Sequence, residues 1–253
     1  WATLERNQGN LRAAEKLLGR ALKEWPKSTR SRVGLAEIRE LRGEVEEARK
    51  TFELGEKFAA RCGDAGFFQS WALLETRMAR SELRDEEKEA WMSSKGEDFN
   101  EDKDEVERVS SPREQGRMVR TRPSREGGRQ KFERIADGKA SKIRGLYRRA
   151  IKVNKYHSAS WIAWAKFEQQ NGNPDVARRL LTEGVNNFPH SKNLAWFHTA
   201  LGNLAWHRGD VTTARACYSR ALDASAPQRS LSILLEYAKM EERLGSRKGT
   251  EAR

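Results

Sequence analysis

WIAWAKFEQQNGNPDVARRLLTEGVNNFP, residues Trp161–Pro189, is the stretch that decides the fold. Its landmarks are Trp164-Ala165, Glu168, Gly172, Ala177, Leu181, Gly184 and Pro189. The chain opens with Trp1-Ala2, Glu5, Gly9, Ala14, Leu18, Ala21 and Pro26, the same series displaced throughout by one constant offset. Ala36, Gly43, Ala48, Phe52 and Gly55 follow that first set at a spacing of 34. Trp71-Ala72 and Glu75 open a third unit. Gly202, Gly209, Ala214, Tyr218 and Ala221 mark a fifth, and Tyr237-Ala238, Glu241 and Gly245 a sixth. A period of about 34 to 37 residues is the mark of stacked helical units.

Each landmark has a physical task. Apolar residues at helical spacing, such as Trp161, Trp164, Ala165 and Phe167, give each helix one stripe to bury. Gly9, Gly43, Gly172, Gly209 and Gly245 suit the left-handed position that ends a first helix. Ala14, Ala177 and Ala214 let the second helix approach the first closely. Pro26, Pro189 and Pro227 are expected to stop the second helix. No unit buries its stripe alone, so the units stack. The fold class predicted is all-α: a right-handed α-solenoid of tetratricopeptide-like helix pairs whose first helices line a concave face.

The third unit is split. In the first unit Trp1 reaches Leu18 across a single short turn. In the third, Trp71 reaches Tyr147, which takes the Leu18 role, only after the long extra segment Ser81–Lys139. The polar composition of that segment and its Ser-Pro, Arg-Pro and Gly-Gly breakers predict a largely disordered insertion at the turn between two helices. The expected organisation is repeats 1, 2 and half of 3 over residues 1–80, the insertion over 81–139, and the remaining repeats over 140–253.

The 253 residues carry 49 Lys+Arg against 37 Asp+Glu, a net charge of +12, with 37% hydrophobic residues and eight Trp. The insertion holds 14 basic and 16 acidic residues, so the repeats alone carry 35 against 21, or +14. A basic surface on a folded array raises the expectation of a nucleic-acid partner. No apolar run approaches the roughly 18 residues of a membrane span. Cys62 and Cys217 lack partners at metal-ligand spacing, and His157, His190, His198 and His207 are dispersed. With no phosphate loop and no nucleophile elbow either, the chain is expected not to be an enzyme and to need no cofactor or metal.

The candidate binding residues come from the face of each first helix expected to line the groove. They are Thr3, Arg6 and Asn7 in unit one and Arg77 with Arg80 in unit three. Unit four offers Lys166, Gln169 and Gln170; unit five Asn203, Trp206 and His207; unit six Lys239 and Arg243. Cations hold phosphates, amides pair with exposed base edges, and a groove Trp stacks on a base. Trp206 suits either the groove or packing between repeats, and Glu37 and Glu40 interrupt the basic run in unit two. A second basic feature is the helix Lys139–Lys155, with Lys142, Arg144, Arg148, Arg149 and Lys152, able to hold RNA backbone, an acidic protein or only water. The repeated Glu5, Glu75, Glu168 and Glu241 read as structural hydrogen-bonding groups within the repeat.

Glu at this position, together with Trp161-x-x-Trp164-Ala165-x-Phe167-Glu168, Gly172 and Ala177-Arg178, resembles the half-a-TPR (HAT) repeat family. Ser158–Leu181, Trp71–Glu75 and Gly209–Leu222 are most similar to plastid HAT-repeat RNA-maturation factors. Arg39 and Ala205 depart from the pattern, as does the insertion. The resemblance implies a single-stranded RNA-binding protein of the chloroplast that protects the 5′ region of a transcript. The alternative it allows is a protein–protein scaffold of a nuclear RNA-processing complex, with other RNA-processing proteins as partners. A chaperone-type peptide receptor is less well supported, because its clamp of Lys, Asn and Arg is not matched.

Overall fold

The computed structural model describes residues 1–97, 135–188 and 193–251. These form eleven helices and no strand. They run as pairs: α1 (Ala2–Asn7) with α2 (Leu11–Glu24), α3 (Thr29–Leu41) with α4 (Val45–Cys62), α5 (Ala65–Glu97) with α6 (Asp137–Val153). Then come α7 (Ser158–Gln170) with α8 (Pro174–Asn187), α9 (Leu194–His207) with α10 (Val211–Asp223), and α11 (Pro227–Glu251). The fold is therefore the expected α-solenoid of helix pairs.

The turns inside four pairs share one geometry. Gly9, Gly43, Gly172 and Gly209 all have φ between 79° and 83°, a left-handed backbone that a side chain disfavours. The residue after each glycine donates its N–H to a carbonyl near the end of the first helix: Asn10 to Glu5, Glu44 to Arg39, Asn173 to Glu168 and Asp210 to Ala205, all 2.8–3.0 Å. This bond satisfies a carbonyl that the helix end would leave unpaired. Gly63, unforeseen, plays the same part after α4, with φ 75° and an Asp64 to Ala59 bond of 3.0 Å.

Three expectations need correction. No turn forms after Arg80, since α5 continues to Glu97, so the first part of the insertion is helical. Residues 81–97 hold Glu, Lys, Arg, Ala and Leu, good helix formers with no internal proline to break them. The rest of the disorder expected in the insertion, 98–134, lies outside the described residues, as does Pro189. Gly245 ends nothing, because α11 passes through it to Glu251, and Pro227 begins α11 rather than stopping α10. Proline suits that first helical position, where no N–H is needed.

The chain returns at Ile135, which is buried and donates its N–H to Asn171 Oδ1 at 2.7 Å. From there α6 joins the core beside α5, where Trp71, Leu74 and Ala79 meet Ile143, Leu146, Tyr147 and Ala150. Consecutive units are fastened by a recurring aromatic pair. Phe52 stacks on Trp71, Tyr147 on Trp164, and Tyr218 on Tyr237, with centroids 5.2–6.3 Å apart and interplanar angles of 6°, 6° and 9°. The first member sits at the Leu18 position of a second helix, the other on the next first helix. Such pairs add about 0.5–1.5 kcal/mol beyond the area they bury.

Candidate functional site on the inner face

The repeated carboxylates are the first feature to resolve. Glu75 is 5% exposed and accepts from Trp71 Nε1 (3.2 Å), from Arg49 of the preceding second helix (3.1–3.3 Å) and from Lys142 (2.9 Å). Glu168, 1% exposed, accepts from Trp164 Nε1 (3.0 Å), Asn173 (2.9 Å) and both prongs of Arg144 (2.7 and 3.0 Å). Glu241 takes both prongs of Arg215 at 2.6 Å. Arg49, Arg144 and Arg215 occupy one repeated position, the residue after Ala48, Ile143 and Ala214. Each of these junctions is thus clamped by a Glu on one unit and an Arg on the unit before. The structural reading of these carboxylates holds.

Arg39, the departure from the Glu pattern, fits the same clamp with its charges exchanged. The matching second-helix position carries Glu15, and Arg39 Nε lies 3.5 Å from its Oε1. The neighbours change as well. Leu35 replaces the Trp that would donate to a carboxylate, and Glu44, in the place of Asn173, pairs with Arg42, which also holds Glu15.

Burial alone would raise the Glu168 carboxyl pKa, but the hydrogen bonds from Arg144, Trp164 and Asn173 outweigh it, and the group titrates below the usual range. The same balance lowers Glu75, through Arg49 and Lys142. A carboxyl depressed by folding contributes stability that is complete above its unfolded pKa, about 4.3 for Glu, and is lost as pH falls through and below it. The urea midpoint should therefore fall on acidification from about pH 5 to pH 3. E168Q, measured in the same series, should flatten that fall; an unchanged slope would mean the clamp is not what acid breaks.

First helices of successive units lie side by side and form the inner face. Polar pairs cross it from unit to unit. Arg6 meets Glu37 at 2.5 Å, Arg77 holds Glu40 through two bonds of 2.5 and 2.6 Å, and Arg80 donates to Gln170 Oε1 at 2.5 Å. Glu37 and Glu40, which interrupt the basic run in sequence, are the partners of the cations on either side. Asn203 donates to Glu236 of α11 at 2.7 Å and accepts from the Tyr218 hydroxyl. Asn7 is exposed at the end of α1, and Lys239 and Arg243 are exposed on α11.

Beyond these pairs lies a groove of about 840 Å³ between α5, α7, α9 and α11. Lys166, Gln169, Gln170, Asn203 and His207 all line it, so the structure brings together five of the residues singled out from sequence. Its apolar floor is Ile162, Ala163 and Ala200. Lys166 and Gln169 have no side-chain partner among the described residues. Burial, then the charge of Arg243, lowers the His207 pKa, so its ring is neutral at pH 7. Trp206 is a correction: it is half-buried and packs on the core around Tyr218, outside the groove lining. The groove's tryptophan is Trp196, 41% exposed. It stands two helical turns before Asn203 along one stripe.

The basic helix is largely paired as well. Lys142 bonds Glu75, Arg144 bonds Glu168, and Arg149 bonds Glu56 at 2.7 Å. Arg148 and Lys152 are exposed without a carboxylate partner among the described residues. No group of three His, Cys, Asp or Glu at metal-holding distance occurs among the described residues, and none of their helices is long and apolar enough to cross a membrane.

Paired helices, left-handed glycine turns and a groove across the first helices of units three to six define a helical-repeat scaffold for interaction with partners. The tetratricopeptide repeat pattern matches residues 1–60, 162–230 and 199–246, more than half of the chain, and the chain belongs to the tetratricopeptide repeat family. The crystal structure of TTC0263, a thermophilic TPR protein in Thermus thermophilus, is similar at 18% identity with a TM-score of 0.53, covering 94% of each chain. A tetratricopeptide repeat protein from Parabacteroides merdae is similar at 14% identity with a TM-score of 0.49, over 95% of this chain and 75% of that one. The first likeness bears on the fold alone. No curated protein matches the chain.

Proposed function

We propose that the protein is a non-catalytic scaffold whose inner groove binds an extended segment of a partner polypeptide. The observation that carries this reading is the groove's lining. Amides at Gln69 and Gln169, neither held by another side chain among the described residues, stand over an apolar floor, with Trp196 at one end and Lys166 as the cation. An extended peptide presents N–H and C=O groups to either side, and an amide side chain can satisfy both. Four first helices about 9–10 Å apart span roughly 30 Å, enough for about eight extended residues. RNA asks for something else, a cation near each phosphate. Arg6, Arg77 and Arg80, the inner-face arginines of the first three units, are already engaged by Glu37, Glu40 and Gln170.

A second reading is favoured by the +14 charge of the repeats and by the exposed Lys239, Arg243, Arg148 and Lys152. It is the single-stranded RNA-binding factor implied by the HAT resemblance, stabilising a chloroplast transcript by covering its 5′ region; a nuclear RNA-processing scaffold is the corresponding form of the first reading. One experiment separates the two. Peptides selected from a displayed random library should lose at least about tenfold in affinity on W196A/Q169A, the loss of one or two good contacts. A short single-stranded RNA should bind no tighter than about 1 µM at physiological salt, the tight end of ordinary non-specific affinity. Tighter RNA binding with a steep salt slope, and no selectable peptide, would transfer the assignment to RNA.

A further inference from the structure

The Arg–Glu clamp recurs at four of the five junctions between described units, and at the fifth it is half present. Arg178 of α8 follows Ala177 as Arg49 follows Ala48. The place held by Glu75, Glu168 and Glu241 on the next first helix is taken by Ala205. Beside Ala205 is a cavity of about 190 Å³ that no side chain fills. Leu201, Leu204 and Cys217 give it apolar walls, and Arg178 and Arg208 are the cations at its edge. Arg208 is bridged to Asp175 at 2.9 Å. The Arg178 guanidinium makes no hydrogen bond or close ion pair among the described residues, although the Asp210 carboxylate is near enough to feel its charge. The other acid facing it, Asp210, is exposed, and its Oδ1 accepts from Thr212 Oγ1 (2.8 Å) and Thr213 N (3.0 Å) as the cap of α10.

We infer that this junction receives a glutamate side chain from a partner polypeptide, which completes the clamp from outside. The methylenes would lie against Leu201, Leu204 and Cys217, and the carboxylate would take Arg178 as Glu168 takes Arg144. Charge complementarity and the chain's own repeated solution name the occupant. Glutamate is what the neighbouring junctions place there, and a carboxylate–guanidinium pair is favoured by two parallel bonds. None of the residues lining this cavity lines the inner groove, so the site does not depend on the function proposed for that groove.

The probe is the peptide acetyl-Ala-Glu-Ala-amide, titrated against the full chain while the Ala205 amide and Arg178 Nε–H resonances are followed. We expect a saturable shift, at least about tenfold weaker with acetyl-Ala-Gln-Ala-amide because the charge-assisted bonds are lost. R178Q changes an exposed residue and should abolish the response with helicity retained. A205E should supply the missing carboxylate from within, raising the thermal midpoint and excluding the peptide. W196A, in the inner groove, should leave the response unchanged. Equal response to the Gln peptide, persistence in R178Q, or loss in W196A would overturn the site. Acetate binding as tightly as the Glu peptide would overturn the polypeptide as its source.

Discussion

E168A should destabilise the protein by about 2–4 kcal/mol, because it leaves a half-buried cation uncompensated and takes the acceptor from two further donors. Arg144 would lose both of its bonds to the carboxylate, and the Trp164 indole N–H and the Asn173 amide would lose theirs. A urea melt followed by circular dichroism reads this directly. The size of the effect comes from the four donors converging on one carboxylate, and a second set of variants tests that account. Exchanging the charges alone, R144E with E168R, should recover little, because an arginine at 168 gives Trp164 and Asn173 nothing to donate to. Adding N173E should recover more, because it removes one stranded donor and sets a second carboxylate beside the new cation, while Trp164 is kept for its stack on Tyr147. Full recovery by the two-residue exchange would show that only the ion pair matters.

The second large effect runs against helix propensity. Replacing a glycine inside a helix by alanine ordinarily gains about 1 kcal/mol. At Gly184, in the second half of α8, a Cβ would lie 2.2 Å from Cε1 of Phe197, and that ring cannot withdraw. Phe197 is fully buried and stacked on Phe188 with centroids 5.4 Å apart. G184A should therefore cost about 1–3 kcal/mol through overpacking. G145A in α6, where nothing lies within 4 Å of the new carbon, should be stabilising or neutral. Opposite signs in the two melts are the expected result. A stabilising G184A would mean that α8 and α9 are not packed this closely.

The same contact recurs between Gly55 and Phe67, at 2.7 Å for the added carbon. That pairing explains part of what is legible in the sequence. Small residues at one repeated position, the left-handed glycines and the aromatic partners of successive units each have a local chemical requirement, so each leaves a mark at a fixed offset. The repeated Glu is legible as structural for the same reason. Its arginine partners lie in a different unit, however, and appear only when the second helix of one repeat is set against the first helix of the next. Glu37 and Glu40 are obscure on the same account, since their partners Arg6 and Arg77 belong to the units on either side.

Other departures from the sequence reading have different physical sources. Beyond Leu83 α5 leaves the core and residues 84–93 are all exposed, so periodicity is silent there while propensity still favours helix. Trp196 escapes notice when the groove stripe is followed only toward the end of α9. One heptad back from Asn203 reaches it. Trp206 lies almost one turn beyond Asn203, but there the stripe has turned toward the core of the following unit.

Ile135 and its bond to Asn171 bear on how this chain tolerates so long a detour. Glu97 and Asp137 are joined by a connection more than ten times as long as those inside the other helix pairs, such as Gln8–Asn10 between α1 and α2. The second helix of the third unit cannot take its register from a short turn as the other second helices do. Its place is set by what it touches on α5 and α7: Tyr147 stacks on Trp164, Ile143 and Leu146 enter the core beside Trp71 and Leu74, and Ile135 is pinned to Asn171 just before the helix begins. Contacts with its neighbours do for α6 what chain connectivity does for α2, α4, α8 and α10.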